Sequence, residues 1–112
     1  MIRITAFVRP HKLEEVKTHV ANLGISGMSV SDVRGCGNSP ERAGTFAGQV
    51  VLVALPVKSK IMVVAPDELR EPIIEAIMET ARTGEPGDGK IFVERVSDAI
   101  RIRTLERGSA GL

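Results

Sequence analysis

A chain of 112 residues with a formal charge of +1 is long enough for one packed domain and too nearly balanced for bulk attraction to nucleic acid or an anionic membrane surface. It has no Trp or Tyr on which single-stranded nucleic acid could stack, and its one cysteine, Cys36, permits neither an intrachain disulfide nor a thiolate metal cluster. The first residues lack a signal-peptide pattern and no apolar run reaches membrane-spanning length, so a cytoplasmic location is expected and any cationic function must be local.

Taken in order, residues 1–8 alternate, with Ile2, Ile4, Ala6 and Val8 on one face of a strand that Arg9-Pro10 should end. Leu13, Val16, Val20 and Leu23 then recur at helical spacing over residues 12–22, and Gly24 is placed to stop that helix in a left-handed conformation. A second strand is expected over residues 28–34, with Met28, Val30 and Asp32 on one face and Ser29, Ser31 and Val33 on the other. Gly35-Cys36-Gly37 opens a long loop over residues 37–55, rich in small and polar residues, in which Phe46 is the candidate anchor for a protein partner.

The β-rich residues 50–55 belong to a limb of that loop or to a hairpin with the next strand, expected over residues 61–65. Lys58 and Lys60 stand at its entrance on a common face. Asp67 is expected to cap a second helix carrying Leu69, Ile73, Ile77 and Met78 or Ala81 inward, although Pro72 fits poorly unless regular geometry begins near it. Residues 91–93 read as another strand, and residues 96–102 as a turn and a short extended return with Arg101 and Arg103 on one face. The order β–α–β–β–α–β is that of a ferredoxin-like α+β sandwich, two helices over one face of a four-stranded antiparallel sheet. The other face is apolar enough to require a neighbour.

Between the second helix and the last strand lies Thr83-Gly84-Glu85-Pro86-Gly87-Asp88-Gly89-Lys90. Gly84, four residues, Gly89 and Lys90 follow the spacing of a Walker-type phosphate loop. Ile91 carries no hydroxyl for Mg²⁺, however, and the order is helix, loop, strand, so a P-loop NTPase is excluded. By itself the segment is open to two readings, an ordinary turn or a phosphate site of another geometry, with Lys90 as the point charge. His11 and His19 have no companions at metal-ligand spacing, and no nucleophile with its base is evident.

The combination of Gly87-Asp88-Gly89-Lys90-Ile91-Phe92-Val93 with Arg101-x-Arg103 resembles the PII signal-transduction family. Arg9-Pro10-x-Lys12-Leu13-x-Glu15-Val16, Gly27-Met28, Gly35-x-Gly37 and Ala81-Arg82-Thr83-Gly84 extend the resemblance over nearly the whole chain, read as a single PII-like domain over residues 1–112. It implies a homotrimer with adenine-nucleotide sites between neighbours, acting as a signalling adaptor and not an enzyme. ATP or ADP would alter the long loop, which would bind or release a membrane transporter, a soluble metabolic enzyme or a regulator; nucleic acid is not an implied partner. Carried residue by residue, Gly87, Asp88, Gly89 and Lys90 would approach phosphate, with Arg101 and Arg103 adding contacts across a subunit boundary. Gly35 and Gly37 would line the loop side, Lys58 would reach the same region, and Ser29 and Val64 would neighbour adenine.

The loop departs from the family pattern where a nitrogen sensor is most diagnostic. Ser39 replaces the glutamine that helps to hold Mg²⁺ and 2-oxoglutarate, Val51 replaces the commonly modified tyrosine, Gln49 replaces a serine phosphorylated in some members, and Met62 replaces a glutamate. Mg²⁺, 2-oxoglutarate, AMP and bicarbonate therefore stay open as effectors, as does the choice between nitrogen and carbon pathways. The competing classes are a small ferredoxin-like enzyme acting on a phosphorylated substrate and an anion-binding structural oligomer.

Overall fold

The computed structural model describes residues 1–35 and 56–112 in full, and the backbone alone of residues 43–46 and 49–52. Strand β1 (Ile2–Val8) leads through a 3-10 turn at Pro10–Lys12 into helix α1 (Leu13–Ala21), followed by β2 (Ser29–Arg34). Strands β3 (Ala43–Phe46) and β4 (Gln49–Leu52) precede β5 (Val57–Ala65), helix α2 (Arg70–Ala81) and β6 (Lys90–Arg95). The main sheet is antiparallel in the order β2-β5-β1-β6, which with two helices on one face is the expected ferredoxin-like α+β fold.

Alternation along the central strand produces the two faces. Ile2, Ile4, Ala6 and Val8 are buried beneath the helices together with Ile61, Val63 and Ala65 of β5, Val16 and Val20 of α1, and Ile73, Ala76, Ile77 and Ala81 of α2. Register sends the other set, Arg3, Thr5 and Phe7 with Lys58, Lys60, Met62 and Val64, to the opposite face. Phe7 and Phe92 meet edge to face there, with ring centroids 6.1 Å apart. Phe92 remains 49% exposed, which leaves an apolar surface that this chain does not cover.

The helix ends follow local chemistry. Gly24 has φ +78°, and the N–H groups of Leu23 and Gly24 donate to the carbonyls of Val20 and Ala21, so α1 closes at the expected residue. The second helix starts differently from expectation. Asp67 makes no side-chain cap; it lies in a 3-10 turn, Asp67–Leu69, and α2 begins at Arg70. Its carboxylate instead accepts from Arg95 at 2.8 Å and pairs with the Met1 amino group at 3.1 Å. Pro72 then falls in the first turn of α2, where an N–H has no intrahelical acceptor to lose. Of the alternatives Met78 and Ala81, Ala81 is buried and Met78 is half-exposed.

Two other expectations change, and one open alternative is decided for the loop. The third strand of the main sheet begins at Val57, four residues earlier than expected, because the small polar Ser59 is itself buried and continues the alternation. Residues 49–52 pair with residues 43–46 in a separate two-stranded sheet, so the hairpin lies within the long loop. The Gly- and Thr-containing β3 had no apolar alternation by which to be seen. After β6, no extended strand returns. Ile100 and Arg107 form an isolated bridge closing a turn in which Leu105 has φ +66°. Cys36, Gly37 and Ser39 lie outside the described residues, as does the side chain of Phe46.

Ile4, 1% exposed on the central strand, is the most direct check on this core: Ile4→Ala is expected to cost about 2–5 kcal/mol, read from the shift of the urea unfolding midpoint.

Candidate functional site: a glycine turn at one end of the sheet

Gly84, Gly87 and Gly89 carry φ of +91°, +100° and +106°, conformations that residues with a Cβ rarely adopt. At Gly89 a Cβ would also collide with the backbone carbonyl of Phe7. This glycine lets the turn pass against the end of the central strand before β6 begins.

Asp88 holds the turn from within. Its carboxylate accepts from the N–H groups of Thr83 at 2.8 Å and Gly84 at 2.9 Å, from the Thr83 hydroxyl at 2.5 Å, and from Arg9 Nε at 3.1 Å. The Thr83 hydroxyl bond is the main reason that this carboxyl lies well below the usual aspartate range, with the two backbone donors and Arg9 adding to it against the cost of burial. Arg9 Nη2 also donates to the Pro86 carbonyl at 2.7 Å, and Lys58 Nζ donates to the Gly87 carbonyl at 3.0 Å. Three separate segments therefore fix one turn.

The structure brings together only part of the predicted set. Gly87, Asp88, Gly89, Lys90 and Lys58 gather at one end of the sheet, joined by Gly35, whose N–H donates to the Pro56 carbonyl at 3.1 Å beside the start of β5. Lys90 is level with Phe7 and Lys60 on the open face. Ser29 is opposite Met62 on the far edge strand, β2, three strand spacings or about 14 Å from β6. Val64 lies on the same face, six residues along β5 from Lys58 and so about 20 Å away.

Arg101 and Arg103 follow the far end of β6, since Lys90 pairs with Phe7 but Arg95 pairs with Ile2. Arg101 donates to the Leu112 carbonyl. No hydrogen bond or ion pair among the described residues joins either arginine to the glycine turn. They project instead from a small turn stabilised by Asp98, which accepts from Arg107 Nη2 at 2.7 Å and from the Gly108 N–H at 3.0 Å. Arg107 first, then the Gly108 and Ala99 N–H groups, hold the Asp98 carboxyl below its ordinary value. Ile102, between the two arginines, is 91% exposed, and Leu105 is 75% exposed.

Sequence reading missed Thr83 and Arg9 as parts of this site. Thr83 had a usable signal, a hydroxyl residue five positions before an aspartate flanked by glycines. Arg9 had none locally, because its partner is 79 residues away. Beside the turn, a cleft of about 460 Å³ opens between α2 and β6, with Ile74, Ile77 and Met78 on one wall, Ile91 and Val93 on the other, and Arg82 and Lys90 among its lining. Among the described residues no cluster of three or more His, Cys, Asp or Glu could hold a metal ion.

Two measurements check the turn. Gly89→Ala should lower unfolding stability by at least about 1–3 kcal/mol through φ strain and the Phe7 clash, whereas Gly84, which faces open space, should suffer only the φ penalty. Because the Asp88 pKa is depressed on folding, the stability it contributes is present above the unfolded value near 3.9 and is lost only as pH falls through the lower folded value. Its carboxyl carbon shift, followed by NMR, should therefore stay constant through pH 4, where an exposed aspartate titrates.

Comparison with known proteins places the chain in a family. The family profile described as nitrogen regulatory protein P-II matches residues 1–106. A nitrogen regulatory protein P-II from Haemophilus influenzae is 47% identical over 106 residues, 95% of each chain, and one from Nostoc punctiforme is 41% identical over 109 residues, 97% of each. Nitrogen regulatory protein P-II 1 from Escherichia coli K12 is 39% identical across all 112 residues of both chains. With so much of its length matched, this protein belongs to the nitrogen regulatory protein P-II family.

Proposed function

We propose that this protein is an adenine-nucleotide-responsive signalling adaptor, assembled as a homotrimer, whose loop over residues 37–55 regulates a membrane transporter or a soluble metabolic enzyme or regulator. Membership of the P-II family makes it a signal-transduction regulator and not an enzyme. The observation that carries the nucleotide reading is the division of the candidate residues within one chain. Ser29 and Val64 lie apart from the turn, and Arg101 and Arg103 are delivered from the opposite end of β6. A ligand that used all three groups would have to lie between copies.

Several features favour association on physical grounds. The open sheet face carries Phe92 and Met62, and Ile102 and Leu105 project from the arginine-bearing turn. Lys90 and Arg103 make no side-chain hydrogen bond or ion pair among the described residues, and like charges brought to a common seam repel unless an anion lies between them. A polyphosphate supplies that anion, with Gly87 and Gly89 admitting it closely to the backbone and Lys58 released from the Gly87 carbonyl to meet it. ATP and ADP differ in charge and length, so each would favour its own population of loop states.

The pathway depends on the loop. Ser39 in place of a glutamine argues against assuming Mg²⁺ and 2-oxoglutarate as effectors, and Val51 removes the hydroxyl used for nucleotidylylation. Among the described residues no helix is long and apolar enough to cross a membrane. The proposed location is the cytoplasm, with a transporter partner as the route to a membrane.

Calorimetry with ATP, ADP, AMP and cyclic AMP, with and without Mg²⁺, 2-oxoglutarate and bicarbonate, tests the ligand assignment. Lys90→Ala and Arg103→Ala are expected to weaken ATP binding by about 1–3 kcal/mol each, or about 5- to 150-fold, with the assembly mass unchanged by light scattering. Unchanged affinity in both variants would sink the phosphate assignment. Hydrogen exchange over residues 37–55 should differ among the ATP, ADP and nucleotide-free states, and identical exchange in all three would rule out nucleotide control of the loop.

A further inference from the structure

The glycine turn contains a contradiction if it is to receive phosphate. Asp88, the residue that shapes it, places a carboxylate within a few atoms of the backbone that would meet the anion. That charge is a permanent one in the working pH range, and it would oppose a polyphosphate more strongly with each added phosphate group. Glu85 in the same turn is exposed to solvent and is therefore well screened. Asp88 is not, its side chain being only 24% exposed.

We propose that Arg9 is a positioning residue for this turn, neutralising Asp88 and fixing the Pro86 carbonyl so that residues 83–90 can accept a polyphosphate. The inference rests on the nucleotide reading above and adds to it a residue that would not itself touch the ligand. Arg9 Nε faces Asp88 at 3.1 Å while Nη2 donates to the Pro86 carbonyl at 2.7 Å, so one planar guanidinium serves both ends of the turn's second half. The Arg9 side chain is 22% exposed, so the pair is screened less than an exposed ion pair.

Arg9 reaches the turn because of where the central strand ends. Its backbone is extended, φ −62° and ψ 138°, as the following Pro10 requires, and the strand before it is locked on both sides by β5 and β6. Lys58 could not replace it. That ammonium donates to the Gly87 carbonyl and is one of the groups a ligand would draw away. A cation that must stay with Asp88 while another moves is the division of labour that the geometry permits.

The test compares AMP, ADP and ATP by calorimetry on the full chain and on Arg9→Gln, Arg9→Lys and the double variant Arg9→Gln/Asp88→Asn, each with a thermal melt. Loss of the cation alone should weaken ATP by about tenfold or more and AMP by less than about threefold. Arg9→Lys should recover most of the ATP affinity, since it retains the charge and loses only the fork. The double variant should bind ATP more tightly than Arg9→Gln, because both charges are gone. An equal loss for all three nucleotides, no loss at all, or failure of Arg9→Lys to rescue would overturn the proposal. If Arg9→Gln does not fold, the ATP-to-AMP affinity ratio of Arg9→Lys and the double variant decides: retention near the parent ratio supports the charge role, and collapse in both overturns it. Absence of binding by the unsubstituted protein is separately visible and overturns the nucleotide reading with everything built on it.

Discussion

The alternation of the central strand is the constraint on which everything else in this molecule depends. With Ile2, Ile4, Ala6 and Val8 committed to the helices, a slip of one residue would bury Arg3 and expose the core, so β1 has one register against β5 and β6. That register decides which carbonyl Gly89 must pass, where Arg9 leaves the sheet, and which end of β5 carries Lys58. The glycine turn is therefore positioned by packing, although none of its own residues belongs to the core.

This arrangement separates what is rigid from what is charged. Asp88 holds the turn from inside with donors close in sequence, while Arg9 and Lys58 reach it from distant strands. The internal bonds define shape, and the long-range ones set the local charge. A similar division occurs after β6, where Asp98 gathers Arg107 and Gly108 to build a small turn and leaves Ile102, Arg103 and Leu105 directed outward. Both turns are thus built around a carboxylate whose partners satisfy it from within.

Much of the fold was legible because its signals are local and periodic. The period-two run in β1, the 3.6-period run ending at Gly24 and the helix core positions Ile73 and Ile77 all fell where they were expected. The errors arose where a tertiary partner outbid a local preference. Asp67 looked like a cap but was drawn to Arg95 and the amino terminus, and Ser59 looked like a strand boundary but is buried in the strand. The candidate residues stood out by type, as glycines, lysines and arginines, but their arrangement did not. Nothing near Arg9 in the sequence announces Asp88, and no local pattern reveals that Ser29 and Lys90 occupy opposite edges of one sheet.

The hairpin of β3 and β4 forms its own two-stranded sheet, hydrogen-bonded to neither edge of the main one. Its sequence is consequently exempt from the register that governs the domain: an exchange such as valine for tyrosine at position 51 leaves every ladder of the sandwich intact. That ribbon can therefore change residue by residue over evolutionary time while the sandwich behind it is inherited unchanged.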